Sequence, residues 1–160
     1  MEDVISLAKL AAETFEATYP DLTKKEVKEY VQQVFSVTEI RAELAHAGIF
    51  LLVDSSDNLA GYSHLKASDA PSEVRALRPI ELVRLFLVDS AKGRGLGHML
   101  LSKGLRWSSR RGYDSCWLKV WDQNPGAIGF YEKQGFHIAG ESQYTTGGMN
   151  DRVLLMVKSI

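Results

Sequence analysis

Lys92-Gly93-Arg94-Gly95-Leu96-Gly97 follows the apolar run Leu82-Val83-Arg84-Leu85-Phe86-Leu87-Val88 and opens a segment of helical spacing from about His98 to Arg111. A strand, a turn of alternating glycines and a helix start in that order make a cradle for an anion. Glycine lets the backbone bend sharply and carries no Cβ to block a ligand. The first N–H groups of the helix lack intrahelical partners and point at whatever occupies the turn. Between Ser90 and Tyr113 there is no acidic residue, whereas Lys92, Arg94, Lys103, Arg106, Arg110 and Arg111 are basic. The pattern predicts a polyphosphate ligand.

The glycines fit neither common nucleotide motif. A dinucleotide fingerprint needs G-x-G-x-x-G and an acidic residue about twenty positions on; a P-loop needs Gly-Lys-Ser/Thr after four intervening residues. Neither spacing is present. Read alone, the turn is either such a cradle or simply a tight turn.

Working outward, apolar periodicity predicts helices over residues 3–18, from Thr23 to about Phe35, and over Thr38–His46. Asp3 reads as a cap of the first, Thr23 with Glu26 as a capping box of the second, and Ala47-Gly48 as a C-terminal cap of the third. Strand patterns follow at Ile49–Val53 and Leu59–Lys66, joined by the turn residues Asp54–Asn58. Residues 67–79 read as a surface loop and Ile80–Val88 as the central strand. Gly97 and Gly104 would let the following helix sit close to a sheet. Ser115–Trp121 reads as a strand, Asn124 to about Gln134 as a helix stopped by Gly135, and Phe136–Ala139 and Arg152–Val157 as the last strands. The expected order is three helices, then βββαβαββ, in one domain. Hairpins give antiparallel pairs and the helical crossover a parallel one, so the sheet is mixed.

Bulk properties narrow the class. With 160 residues the chain suits one core, and a net charge of −1 argues against a nucleic-acid binder. Residues 1–46 nevertheless hold nine Asp or Glu against five Lys or Arg, opposite in sign to the glycine-rich helix. That asymmetry suits an anionic cofactor and a cationic substrate, or two differently solvated faces. No run is long enough to span a membrane and the acidic start lacks the basic residues of a secretory signal, so the cytoplasm is expected. Cys116 is the single cysteine, which excludes an intrachain disulfide, and its apolar setting predicts an inert thiol. No His, Cys, Asp or Glu cluster has metal-ligand spacing.

Asn124 and Tyr131 stand seven residues apart, about two helical turns, and share a helix face. Tyr131 reads either as an amphipathic core residue with its hydroxyl at the rim or as a proton donor to a leaving group.

The run from Arg84 to Asp89 with Lys92-Gly93-Arg94-Gly95-Leu96-Gly97 resembles the cofactor motif of the GNAT family of N-acetyltransferases. Asn124-Pro125-Gly126-Ala127-Ile128-Gly129-Phe130-Tyr131-Glu132-Lys133-Gln134-Gly135-Phe136 resembles the family's N-x-x-A-x-x-F-Y-x-x-x-G-F signature. The resemblance covers most of the chain from about Ile49. Glu81-Leu82-Val83-Arg84, Trp117-Leu118-Lys119-Val120-Trp121 and Thr14–Tyr19 are similar to the bacterial spermidine/spermine (PaiA-type) branch.

This resemblance implies a GNAT fold: an α/β domain with a central mixed, mostly antiparallel sheet flanked by helices. Its first strand would be absent or truncated, because the chain goes almost directly into the first helix. Residues 80–139 would form the acetyl-CoA-binding core, and residues 1–46 a helical part walling the acceptor side. The backbone around Leu85, Phe86 and Leu87 would pair with the pantetheine arm. Lys92, Gly93, Arg94, Gly95, Leu96, Gly97 and His98 would hold the diphosphate. Asn124 would contact the arm, Lys133 would reach the ribose phosphate or stay solvated, and Tyr131 would serve the sulfur.

Acetyl transfer to an amine also needs a base. Glu81 is the first candidate, against a reading as a solvated carboxylate at a strand entrance; His64, His98 and His137 follow it. Simple alternation, with no bulge, places Glu81 on the same strand face as Leu85 and Leu87. The expected acceptor is a small polyamine, with protein or antibiotic amines, or acyl-CoA binding without turnover, as rivals. Family habit adds a homodimer; neither a metal nor nucleic acid is expected.

Overall fold

The computed structural model describes residues 2–18, 24–46, 48–53, 58–145 and 150–160. Three helices come first: α1 (Glu2–Thr18), α2 (Lys24–Val34) and α3 (Val37–His46). No strand precedes them among the described residues. Next come β1 (Gly48–Val53), β2 (Leu59–Lys66) and β3 (Pro79–Leu87), then a single 3-10 turn at Asp89–Ala91 and α4 (Leu96–Ser109). The chain continues through β4 (Ser115–Trp121), α5 (Pro125–Lys133), β5 (His137–Tyr144) and β6 (Asp151–Ser159). This is the element order expected from the sequence, with β5 running five residues further than its apolar start suggested. Thr23, Ala47, residues 54–57 and residues 146–149 lie outside the described residues, as do the cap and turn readings placed on them. Asp3 lies inside α1, one residue past its start. Gly48 does not cap α3. It begins β1, where a Cβ would come within 2.8 Å of the Trp107 ring, so close packing accounts for the glycine.

The six strands form one sheet in the order β1-β2-β3-β4-β6-β5. All neighbours are antiparallel except β3 and β4. That parallel pair is joined through α4, the long crossover such a pair requires. One sheet face packs on α4 and α5 through Leu65, Leu82, Leu101, Leu118, Phe136 and Met156, all buried. Gly104 permits this packing: a Cβ there would stand 2.6 Å from Leu65 Cδ1. The opposite face is covered by two separate clusters. Leu7, Ala11, Phe15, Tyr30, Phe35 and Ile40 from the N-terminal helical part pack on Tyr62. Val74, from the loop after β2, packs on Trp117 and Leu155.

Two irregularities mark β3. His64 pairs with Arg84 but Leu65 pairs with Leu82, leaving Val83 as an extra residue. Such a bulge reverses which face the following side chains occupy. The second irregularity is the brevity of the β3–β4 ladder, which joins Pro79, Ile80 and Glu81 to Ser115, Cys116 and Trp117 and then stops. Beyond Glu81 the two strands part.

Candidate functional site

Where β3 leaves β4, a cleft of about 490 Å³ opens through the sheet. Its walls are Glu81 through Leu87 on β3, Lys119, Val120 and Trp121 on β4, and Asn124, Gly126, Ala127, Phe130 and Tyr131 along α5 and its cap. Parting strands leave β3 peptide groups without ladder partners on that side, and buried peptide groups require partners. The cleft therefore suits an extended ligand with its own amide groups, which would add to the strand edge.

At the C-terminal end of β3 the cleft reaches Lys92 and Gly97, and the glycine turn lies between them. Gly93 and Gly95 take φ of 71° and 76°, left-handed values that favour glycine. Gly95 occupies the N-cap position of α4 and supplies no side-chain cap. The bond from the Met99 N–H to the Gly95 carbonyl opens the helix ladder, and the amides of its first turn precede it. Capless amides beside a basic side chain favour negative charge. Lys92 Nζ is 2.7 Å from Asp89 Oδ1, and this pairing holds the Asp89 carboxyl below its ordinary range.

Asn124 caps α5: its Oδ1 accepts the Ala127 N–H at 3.0 Å, with Pro125 next in line at the first helical position. This leaves the Asn124 amide nitrogen as the side chain's donor for a ligand. Tyr131, near the far end of the same helix, packs edge-on against Phe130 at 5.2 Å and Phe136 at 5.7 Å. The two rings pack the phenol where it borders the cleft.

The bulge at Val83 overturns the expected facing of Glu81. Lys66–Glu81, His64–Arg84 and Tyr62–Phe86 are cross-strand pairs on one face; Leu65–Leu82, Ser63–Leu85 and Gly61–Leu87 are on the other. Glu81 therefore faces the N-terminal helices with Arg84 and Phe86, opposite Leu85 and Leu87. Its Oε2 accepts a 2.7 Å hydrogen bond from Ser68 Oγ.

That side of the cleft is built from residues far apart in sequence. Thr14, Phe15 and Thr18 on α1, Tyr30 on α2, Phe35, Tyr144 at the end of β5, and Asp151 and Val153 on β6 line it. Phe15 and Tyr30 stack at 4.0 Å, and the hydroxyls of Tyr30 and Tyr144 meet at 2.9 Å. Beneath them Arg84, 8% exposed, makes a two-pronged bond to Glu43 of α3 at 2.6 and 3.1 Å and lies 4.9 Å over the Phe35 ring. Burial disfavours the guanidinium charge, but the Glu43 carboxylate outweighs it and keeps Arg84 firmly protonated. His64, fully buried, has its Nδ1 3.3 Å from the same guanidinium. Burial is the main reason its pKa falls to about 4; Glu43 opposes the drop and Arg84 adds to it. A neutral His64 accepting from Arg84 is a structural element and not a proton shuttle at neutral pH.

The structure thus gathers Glu81, Leu85, Phe86, Leu87, Lys92, Gly97, Asn124 and Tyr131 around one cleft. Gly93, Arg94, Gly95 and Leu96 join Lys92 to Gly97 and are not among the residues lining the cleft. His98 is exposed and bonded to Gln134, and Lys133 is exposed on the last turn of α5, outside the cleft walls. Ser68 and Tyr30 were given no site role from the sequence, and Arg84 and Lys119 entered only as parts of the quoted motifs. Cys116 is buried, with burial pushing its thiol up to about 12, as its apolar neighbours predicted. Among the described residues no group of His, Cys, Asp or Glu could hold a metal ion, and no helix is long and apolar enough to cross a membrane.

Comparison with known proteins agrees with this geometry. The chain is 28% identical over 167 residues to an uncharacterized N-acetyltransferase in the pepI 3′ region of Lactobacillus delbrueckii subsp. lactis, covering 99% of this chain and 93% of that one. It is 24% identical over 144 residues to a spermidine N(1)-acetyltransferase of Thermoplasma acidophilum, covering 86% and 84%. Its fold matches the crystal structure of the PaiA N-acetyltransferase from Thermoplasma acidophilum in complex with coenzyme A, with a TM-score of 0.71 over 99% of this chain and 94% of that one at 22% identity. The pattern of the acetyltransferase (GNAT) family matches residues 4–136. With a capless glycine turn, a parted strand pair and a family match over most of its length, this chain belongs to the acetyltransferase (GNAT) family.

Proposed function

We propose that the protein transfers an acetyl group from acetyl-CoA to a primary amine by direct attack, and that the acceptor is a small polyamine. The observation that carries this reading is the opening of β3 away from β4 onto the capless glycine turn. A pantetheine arm fits the β3 edge around Leu85, Phe86 and Leu87. The diphosphate fits the amides from Gly93 to His98, with Lys92 exchanging Asp89 for phosphate and Arg94 in the same turn. Asn124 offers its amide nitrogen to the arm, and Lys133 serves the ribose phosphate from outside the walls.

When bound, the thioester supplies an activated acetyl carbon. The amine arrives as an ammonium ion and needs a proton acceptor before it can attack. Glu81 takes that proton, directly or through water, from the face opposite Leu85. Tyr131 holds a proton at the sulfur as the carbon–sulfur bond breaks. Direct attack is supported by the state of Cys116, the single cysteine, which is too buried and too weakly acidic to accept the acetyl group.

The polyamine assignment draws on the spermidine acetyltransferase relative and on the acceptor wall itself. Arg84 is neutralised by Glu43 and Lys92 by Asp89, which leaves Glu81 and Asp151 against Lys119. Two carboxylates and the rings of Phe15, Tyr30 and Tyr144 favour a cation over an anion. The expected compartment is the cytoplasm, and a homodimer accords with family habit. The test is thiol release from acetyl-CoA over a panel of amines. Spermidine and spermine should exceed amino-terminal peptides and aminoglycosides in kcat/KM by at least about tenfold, a 1.4 kcal/mol preference. Preference for a peptide or an aminoglycoside would overturn the polyamine assignment. Coenzyme A binding without thiol release from any amine would overturn the catalytic reading.

A further inference from the structure

We infer that Ser68 is a positioning residue for proton removal, holding the Glu81 carboxylate toward the incoming amine; this rests on Glu81 as the proton acceptor. The last rung of the β2–β3 ladder joins Lys66 to Glu81. Two residues later the chain has turned into the loop before β3, and Ser68 Oγ donates to Glu81 Oε2 at 2.7 Å. The loop is well placed to hold a side chain still. Its midpoint, Val74, is buried against Trp117 and Leu155. Near its end, the N–H groups of Leu77 and Arg78 donate to the Asp114 carboxylate at 3.0 and 3.1 Å.

The bulge at Val83 turns Glu81 toward the acceptor side, and a carboxylate at a strand entrance still rotates about its terminal bonds. One fixed donor on Oε2 stops that rotation and leaves Oε1 to receive a proton. The hydroxyl has a single proton, already committed to Glu81, so Ser68 only accepts from any approaching water or ammonium. In the step itself an ammonium N–H bond breaks and the proton goes to Glu81, the freed nitrogen pair forms the bond to the acetyl carbon, the carbon–sulfur bond breaks as Tyr131 gives its proton to the sulfur, and the second proton that the nitrogen sheds on becoming an amide returns to Tyr131. No bond to Ser68 forms or breaks.

Steady-state kinetics of the wild type, Ser68→Ala, Ser68→Thr, Glu81→Gln and the double variant Ser68→Ala/Glu81→Gln test this. The assay uses acetyl-CoA and the fastest amine of the thiol-release panel, spermidine on our reading. Ser68→Ala should lower kcat about tenfold, the scale of a misplaced catalytic group, with KM for acetyl-CoA unchanged within about twofold. Ser68→Thr keeps the hydroxyl and should restore the rate. In the Glu81→Gln background, removing the Ser68 hydroxyl should change kcat by less than about twofold, because coupled residues are not additive. Wild-type turnover by Ser68→Ala alongside a slow Glu81→Gln would overturn the role of Ser68 and leave Glu81 as the base. An undiminished loss in the Glu81→Gln background would show that Ser68 acts elsewhere. Wild-type turnover by Glu81→Gln, or no turnover with any amine, would remove the base and its positioning residue together.

Discussion

The two sides of the cleft are built in opposite ways. On the α4 and α5 side, the groups suited to hold a ligand are mostly main-chain: the β3 edge and the amides at the start of α4. Their conformations are set locally, by Gly93 and Gly95 in left-handed φ and by Asn124 and Pro125 at a helix start. On the opposite side the groups are side chains from α1, α2, β3, β5 and β6, plus the loop that presents Ser68. A backbone cradle tolerates many side chains around it and grips a constant ligand. A side-chain wall changes with single substitutions, which suits the part of an enzyme that chooses its acceptor.

That contrast can be broken most sharply at the buried ion pair. Glu43→Ala leaves the Arg84 guanidinium buried without its carboxylate and should lower unfolding free energy by about 3 kcal/mol or more. Urea denaturation measures it, and a loss under about 1 kcal/mol would mean the pair is not what fixes α3 to the sheet. Acid should strike the same region. His64 has a pKa of about 4 when folded against 6.5 unfolded, so the unfolded chain binds more protons between those values. Its contribution is fully present above about pH 6.5 and is lost as pH falls toward 4, about 3 kcal/mol in all. Unfolding curves at pH 7 and pH 4 read this loss, and His64→Gln should flatten it; an equal loss in the variant would place the acid sensitivity elsewhere. On the cofactor side the effect should be kinetic. Tyr131→Phe should lower kcat about 100-fold while acetyl-CoA affinity stays near wild type. Unchanged turnover would remove Tyr131 from the mechanism.

Much of the cofactor side was legible in the sequence for a physical reason. Left-handed turns, an Asn-Pro helix start and alternating apolar residues are constraints within a few positions of one another. So β2 and β4 fall where their patterns put them, and α4 follows the glycines as expected. The side facing the N-terminal helices was legible only in outline. Glu81 was found, yet its facing came out reversed, because one unpartnered residue at Val83 shifts the register and leaves no mark in an apolar strand. Arg84 sits in plain view inside the apolar run of β3, but nothing nearby announces that Glu43, forty-one positions earlier, will meet it. The same holds for Tyr30 and Tyr144, separated by 114 positions and joined by their hydroxyls.

The order of elements, the glycine turn and the Asn124–Tyr131 spacing are written in the chain itself, because short-range backbone geometry and period fix them. The parting of β3 from β4, the turning of Glu81 toward the N-terminal helices and the meeting of Ser68 with it were decided by the folded sheet. Register, and with it the direction of every side chain on a strand, depends on partners that only tertiary packing supplies.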